Sequence, residues 1–249
     1  METTSFLRRV FITVFLFYLP FSFCFAFDTQ EIRRNQSLLQ GESAGKRIVT
    51  WAEKFIGTPY DRDPMGEYVT RETIVADERV DCMYLTFRAV ELALSRTPEE
   101  AIQMALEKRF HSKGILMDGK VVNYEDRFEY GEDMVFSGKW GREITPKIGK
   151  TTRIKGARGR DFVEILPSEH LLKGLRKLKS GDILFFVKKP EERKVEEIVG
   201  HIGIVKIEQR PYLIHASGTK GKGGEVKKVL LKEYLFKTPF IGVMITRFD

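Results

Sequence analysis

The apolar pattern of this 249-residue chain changes period partway along. In residues 46–56, 82–94 and 98–109 apolar positions recur every three or four residues. From residue 183 onward they come in short runs rich in β-branched and aromatic side chains. Helices first and strands afterwards argue for an α+β fold with a mostly antiparallel sheet, because successive parallel strands each need a crossover between them.

Within the first half, Ile48, Trp51, Ala52 and Phe55 fall at helical spacing, Gly57 ends the run and Pro59 forbids its continuation. Residues 28–45 are polar. Residues 60–80 mix charges with turn formers and are expected to form a loop that travels to the functional site. Asp81 has the chemistry of an N-cap for a helix beginning at Cys82 and running to Leu94. Apolar residues on most of its circumference make that helix a buried one. Thr97-Pro98-Glu99-Glu100 starts another helix, ending near Arg109.

Residues 111–167 lack clear periodicity and are expected to form an irregular insertion, packed through Tyr124, Phe128, Tyr130, Phe136 and Trp140. A helix is expected at 168–178. Strands are expected at 183–187, 201–208, 211–217, 227–231 and 241–247. Residues 27–249 are expected to form one domain.

The beginning of the chain bears on the compartment. Arg8 and Arg9 precede an apolar run from Val10 to Phe25 that ends Cys24-Phe25-Ala26. A charged start, a short apolar core and a small final residue describe a secretory signal peptide, residues 1–26. Pro20 and Ser22 interrupt the run, which is short for a bilayer span of roughly 20 residues. An uncleaved anchor is the alternative. Cleavage after Ala26 removes Cys24 and leaves Cys82 as the one cysteine, so no internal disulfide is expected. A lone thiol in an oxidising space is either buried or used.

A net charge of +7 invites a nucleic-acid partner, which export argues against. Lys139, Arg142, Lys147, Lys150, Arg153, Lys155, Arg158 and Arg160 fall close together, with Glu143 the single acid among them. Such a block steers anionic polymers of the envelope toward the protein, or is simply a solvated loop.

Cys82 at a helix start, with His201 and His215 on later strands, is the set a thiol amidase needs. The helix amino end favours an anion, and its amides, that of Cys82 included, can hold a developing oxyanion. A histidine takes the thiol proton and a further group orients the imidazole. If strands 201–208 and 211–217 form a hairpin, both histidines share a face only when paired residue numbers sum to an even value. A three- or five-residue connection around Gln209 is therefore expected. Gly203 and the small residues 216–218 are expected to leave a cleft beside the rings.

Asp81-Cys82, His201-Ile202-Gly203-Ile204 after the Gly181-Asp182 strand start, and Leu213-Ile214-His215-Ala216-Ser217 together resemble the papain-like NlpC-type cell-wall peptidases. Gly57-Thr58-Pro59-Tyr60 fits the same pattern. The stretch from Tyr124 to Tyr130 is similar to the exported N-acetylmuramoyl-L-alanine amidase-like branch of that superfamily. The resemblance implies a papain-like α+β fold with the nucleophile at a buried helix start packed on the sheet. It implies Cys82 as nucleophile, His201 as general base and His215 as the orienting group. Asp81 and Tyr60 then contact the amino end of a peptidoglycan stem peptide, and no cofactor or metal is needed. Met83-Tyr84 departs from the small Ser-Gly pair usual after the cysteine, and the basic stretch is not part of the shared pattern.

Two other readings stand beside the secreted amidase or stem peptidase. One cysteine and two histidines can bind zinc, although no close ligand pair is present. A catalytically inactive module of the same fold would hold wall polymer through its basic surface.

Overall fold

Caps set where the long helices begin. The computed structural model describes residues 27–249, and the expected signal peptide lies outside them. Helix α1 (Thr29–Leu38) starts at Asp28, α2 (Ala44–Lys54) at Ser43, and, after the short α3 (Glu67–Thr70), α4 (Cys82–Leu94) at Asp81. Helix α5 (Pro98–Lys108) starts at Thr97 with Pro98 in its first turn. In each capped case a side-chain oxygen accepts an otherwise unpaired first-turn amide, such as Tyr84 N to Asp81 at 2.8 Å. The polar stretch 28–45 thus contains a helix that its pattern does not announce. Only Ile32 and Gln36 of α1 are buried, so it has almost no apolar stripe to betray it.

The segment expected as an irregular insertion is ordered. It holds the hairpin β1 (Leu116–Met117) and β2 (Lys120–Val121), then α6 (Gly131–Ser137), β3 (Arg142–Glu143) and α7 (Thr145–Ile148). It ends in β4 (Thr152–Lys155) and β5 (Phe162–Pro167), and these two strands join the main sheet. Short elements joined by turns give no sustained period, which explains the irregular pattern. Helix α8 (Ser168–Gly174) follows, finished by a 3₁₀ turn at Leu175–Lys177. Then come β6 (Ile183–Val187), β7 (Val199–Ile207), β8 (Pro211–Thr219) and β9 (Gly223–Leu230). Helix α9 (Leu231–Lys237), not expected from the sequence, leads to β10 (Gly242–Arg247).

The sheet runs in the order β4-β5-β10-β6-β7-β8-β9, with β3 also on β10, and its pairings are antiparallel. Both faces are covered. On one face Ile183, Phe185, Ile202, Ile204, Ile214 and Met244 share a core with α2, α4 and α5. On the other, Leu184, Phe186, Val205, Leu213, Val243 and Ile245 pack with α7, α8 and α9. All five residues of β6 are buried, so a continuous apolar run replaces the usual alternation.

Beneath α4 lies a buried ionic knot. Arg88 pairs with Asp77 through Nε at 2.7 Å and Nη2 at 3.0 Å. Arg109 pairs with Glu91 through Nε at 2.6 Å and Nη2 at 2.7 Å, and also donates to the Ile74 carbonyl. The four side chains are nearly inaccessible to solvent. Tyr84 is part of the same structure: its hydroxyl donates to Asp77 at 2.9 Å and accepts from the Ala76 amide. The bulky residue two places after Cys82 therefore ties the 61–80 loop down onto the helix that carries the thiol.

Candidate active site

Strands β7 and β8 form the expected hairpin with an even register. Ile204 faces Ile214, Val205 faces Leu213 and Ile207 faces Pro211, so paired numbers sum to 418 and Glu208-Gln209-Arg210 make a three-residue connection. His201 and His215 therefore share a face as diagonal neighbours. Their rings stand 5.0 Å apart at 89°, and His201 Nε2 lies 2.8 Å from His215 Nδ1. The face is the one α9 covers: Tyr234 lies edge-on to His215 at 4.9 Å and Phe240 stacks on His201 at 6.3 Å. Phe186 completes the apolar surroundings.

The paired ladder of β7 and β8 stops at Ile204 and Ile214, whereas β8 continues along β9 to Thr219. At the same level β6 and β7 slip by one residue between Phe186 and Val187. The seam between β7 and β8 thus opens beside the imidazoles, and the amino end of α4 meets it. The amide of Ile202, the residue after His201, lies close enough to the Cys82 thiol to favour its ionised form. Tyr60 and Tyr234 both lie close enough for a thiolate at Cys82 to raise their phenols. Among the described residues no hydrogen bond joins Cys82 Sγ to either histidine; the direct bond is imidazole to imidazole.

Protonation follows from burial. Burial pushes the Cys82 thiol up to about 12, and the Asp81 charge adds to this. The Ile202 amide, the Lys220 ammonium and the Cys82 amide pull the other way. Burial lowers His201 to about 3, with His215 contributing, and lowers His215 to about 4, with Lys227 contributing. Both rings are therefore neutral at pH 7. In that state the bond between them needs one proton, and a proton on His201 Nε2 leaves Nδ1 as a free base.

Tyr60 and Asp81 flank this arrangement. Tyr60 is pinned by its amide to Gly224 and by ring contact with Gly218, where an added Cβ would come 2.2 Å from Tyr60 Cγ. Asp81 spends Oδ1 on its cap and Oδ2 on Lys220 Nζ at 3.0 Å. The small residues do not all leave open space as expected. Gly203 makes room for Leu213 and Gly218 for Tyr60, while Ala216 is buried. A cavity of about 320 Å³ does open beside the imidazoles, lined by Gly200, Ser217, Tyr234 and Phe240 among others. Tyr234, Phe240 and Lys220 carried no warning in the sequence: a tyrosine in a short helix and a lysine in a turn are ordinary until the sheet brings them to the thiol.

The basic stretch is partly spent inside the protein. Lys139 donates to the carbonyls of Glu107, Phe110, His111 and Ser112, satisfying the end of α5. Arg142 pairs with Asp249, and Arg158 with Asp133 and Glu132. Arg153 and Arg160 lie over the rings of Phe162 and Phe136. Among the described residues no group of three His, Cys, Asp or Glu side chains is placed to hold a metal ion, and no helix is long and apolar enough to cross a membrane.

No family model and no curated protein matches the chain. Solved structures do. An N-acetylmuramoyl-L-alanine amidase from Bacteroides uniformis superposes with a TM-score of 0.64 at 21% identity, covering 83% of this chain and 99% of that one. A Legionella pneumophila protein of the family DUF1460 gives a TM-score of 0.65 at 17% identity, covering 87% and 93%. At this identity the likeness establishes a shared fold: this chain has the α+β fold of those proteins over most of its length.

Proposed function

We propose that the protein is an exported cysteine amidase of papain-like NlpC type, hydrolysing an amide bond of peptidoglycan, either the sugar–L-alanine bond or one within the stem peptide. The observation that carries this reading is the His201–His215 imidazole pair, set on one face by the even register and placed at an opened seam beside the helix-start thiol. The amidase name of the Bacteroides uniformis structure supports the choice of substrate. The substrate is peptidoglycan or its stem-peptide fragments, with anionic envelope polymers as further contacts. Residues 1–26 act as the signal peptide, and residues 27–249 form the single amidase domain.

In this reading Cys82 Sγ adds to the scissile carbonyl carbon while its proton passes to His201 Nδ1. His201 Nε2–H donates to His215 Nδ1 throughout, which holds the tautomer and spreads the positive charge that forms. The oxyanion lies against the unspent amides of Cys82 and Met83, where the α4 dipole favours negative charge. Collapse returns the proton to the leaving amine and leaves a thioester on Cys82. Water then adds to the thioester, giving its proton to His201, and the thiol leaves reprotonated. Because thiol and imidazoles are neutral at rest, proton transfer accompanies attack.

A second reading, an inactive wall-binding module, draws on the high pKa of the thiol. Incubation of purified peptidoglycan with the protein and with its Cys82→Ala variant, read by mass spectrometry, decides between them. Release of stem peptides or cut stems by the wild type alone supports the amidase. Equal release by both sinks it, and retention on wall without release by either favours the module.

A further inference from the structure

Lys220 lies in the turn joining β8 to β9. Its Nζ is 3.0 Å from Asp81 Oδ2, 3.9 Å from Asp61 Oδ2 and 5.8 Å from the centre of the Tyr60 ring. Two carboxylates and an aromatic face are the surroundings in which proteins hold alkylammonium groups. The occupant here belongs to the chain itself. The remaining carboxylate oxygen atoms have donors too: Asp81 Oδ1 accepts from Tyr84 N, Asp61 Oδ1 from Asp63 N and Asp61 Oδ2 from Glu67 N at 2.7 Å. A second ammonium arriving here finds a donor already on each carboxylate oxygen and a like charge already in place. An amide or acyl group meets neither obstacle.

Resting on the function proposed above, we infer that Lys220 determines specificity: it fills the cage of Tyr60, Asp61 and Asp81 with its own ammonium, excludes substrates that bring a free amino group there, and selects those whose first amino acid is N-acylated. Such a choice admits chains still joined to the sugar and rejects stems with a free amino end. The side chain is about one third exposed, so it is held by the cage and still met by an incoming ligand.

The test is binding without turnover, in the Cys82→Ala protein. Two probes are titrated calorimetrically: L-alanyl-D-isoglutamine with a free amine and the same dipeptide N-acetylated. The N-acetylated probe is expected to bind at least about 10-fold tighter. Adding Lys220→Met, which keeps the aliphatic stem, erases or inverts that preference, and Lys220→Arg retains it. Equal binding of both probes to the Lys220 protein, or an unchanged ratio in Lys220→Met, overturns the inference while leaving the proposed function standing. If neither probe binds any of the proteins, the proposed function loses support and the inference falls with it.

Discussion

Replacing Glu91 with alanine tests how the ionic knot supports the site. Asp77, Glu91, Arg88 and Arg109 balance two negative against two positive charges in a place where none of the side chains is more than 2% exposed. Glu91→Ala leaves Arg109 without its acceptors at 2.6 and 2.7 Å, keeping only the Ile74 carbonyl, while Arg88 keeps both bonds to Asp77. An uncompensated buried charge of this kind costs about 3–5 kcal/mol. At roughly 2–4 °C per kcal/mol for a chain of this size, the midpoint of thermal unfolding should fall by about 6–20 °C. The double variant Glu91→Leu, Arg109→Met removes both charges and fills the space with apolar atoms. It should lose only about 1–2 kcal/mol, chiefly from the Ile74 carbonyl left without its donor. Urea unfolding followed by circular dichroism at pH 7 reads both. The reasoning is refuted if the double variant is as unstable as the single one, or if Glu91→Ala costs less than about 1 kcal/mol.

The thiolate absorbance of Cys82 should titrate with a midpoint well above 9, and the midpoint should fall in Asp81→Asn, which keeps the cap but removes the adjacent charge; a wild-type midpoint below 8 contradicts the effect of burial. Acid should weaken the fold through the imidazoles. Their folded values of about 3 and 4 lie below the unfolded 6.5, so the unfolded chain takes up protons first as pH falls. This contribution is intact above pH 6.5 and is lost on descent toward 4 and then 3, with a slope of up to about 1.4 kcal/mol per pH unit for each ring. Urea midpoints between pH 6.5 and 4.5 should flatten in His201→Phe, His215→Leu; an equal slope in that variant speaks against neutral buried rings. Gly218→Ala should displace the Tyr60 ring, cost about 1–3 kcal/mol and lower kcat/KM at least about 10-fold. On a Tyr60→Ala background the same change should add little, and full additivity would count against the contact.

Much of this was readable in the chain, for stated reasons. Asp81 and Thr97 are caps followed by apolar residues at helical spacing, and α4 and α5 begin where those signals place them. The even register of β7 and β8 followed from asking what two odd-numbered histidines need. Helix α1 was hidden because so little of it is buried, and α9 because Leu231 and Leu235 are too few to show a period. The end of the 111–167 segment joins the sheet through pairings of β5 with β10, some 75 residues further on, which no local pattern announces. Site residues supplied by such distant elements, Tyr234 and Lys220 above all, become visible only when the sheet assembles.

The protonated state of Cys82 also bears on how the chain survives its own folding. Oxidants and disulfides attack the thiolate, so vulnerability follows the ionised fraction. An unfolded cysteine with a pKa near 8.5 is about 3% ionised at pH 7. A thiol raised to about 12 in the folded protein is ionised far less. Folding therefore lowers the thiol's exposure to oxidation by keeping it protonated, and the hazard is greatest before β7 and β8 pack against the amino end of α4.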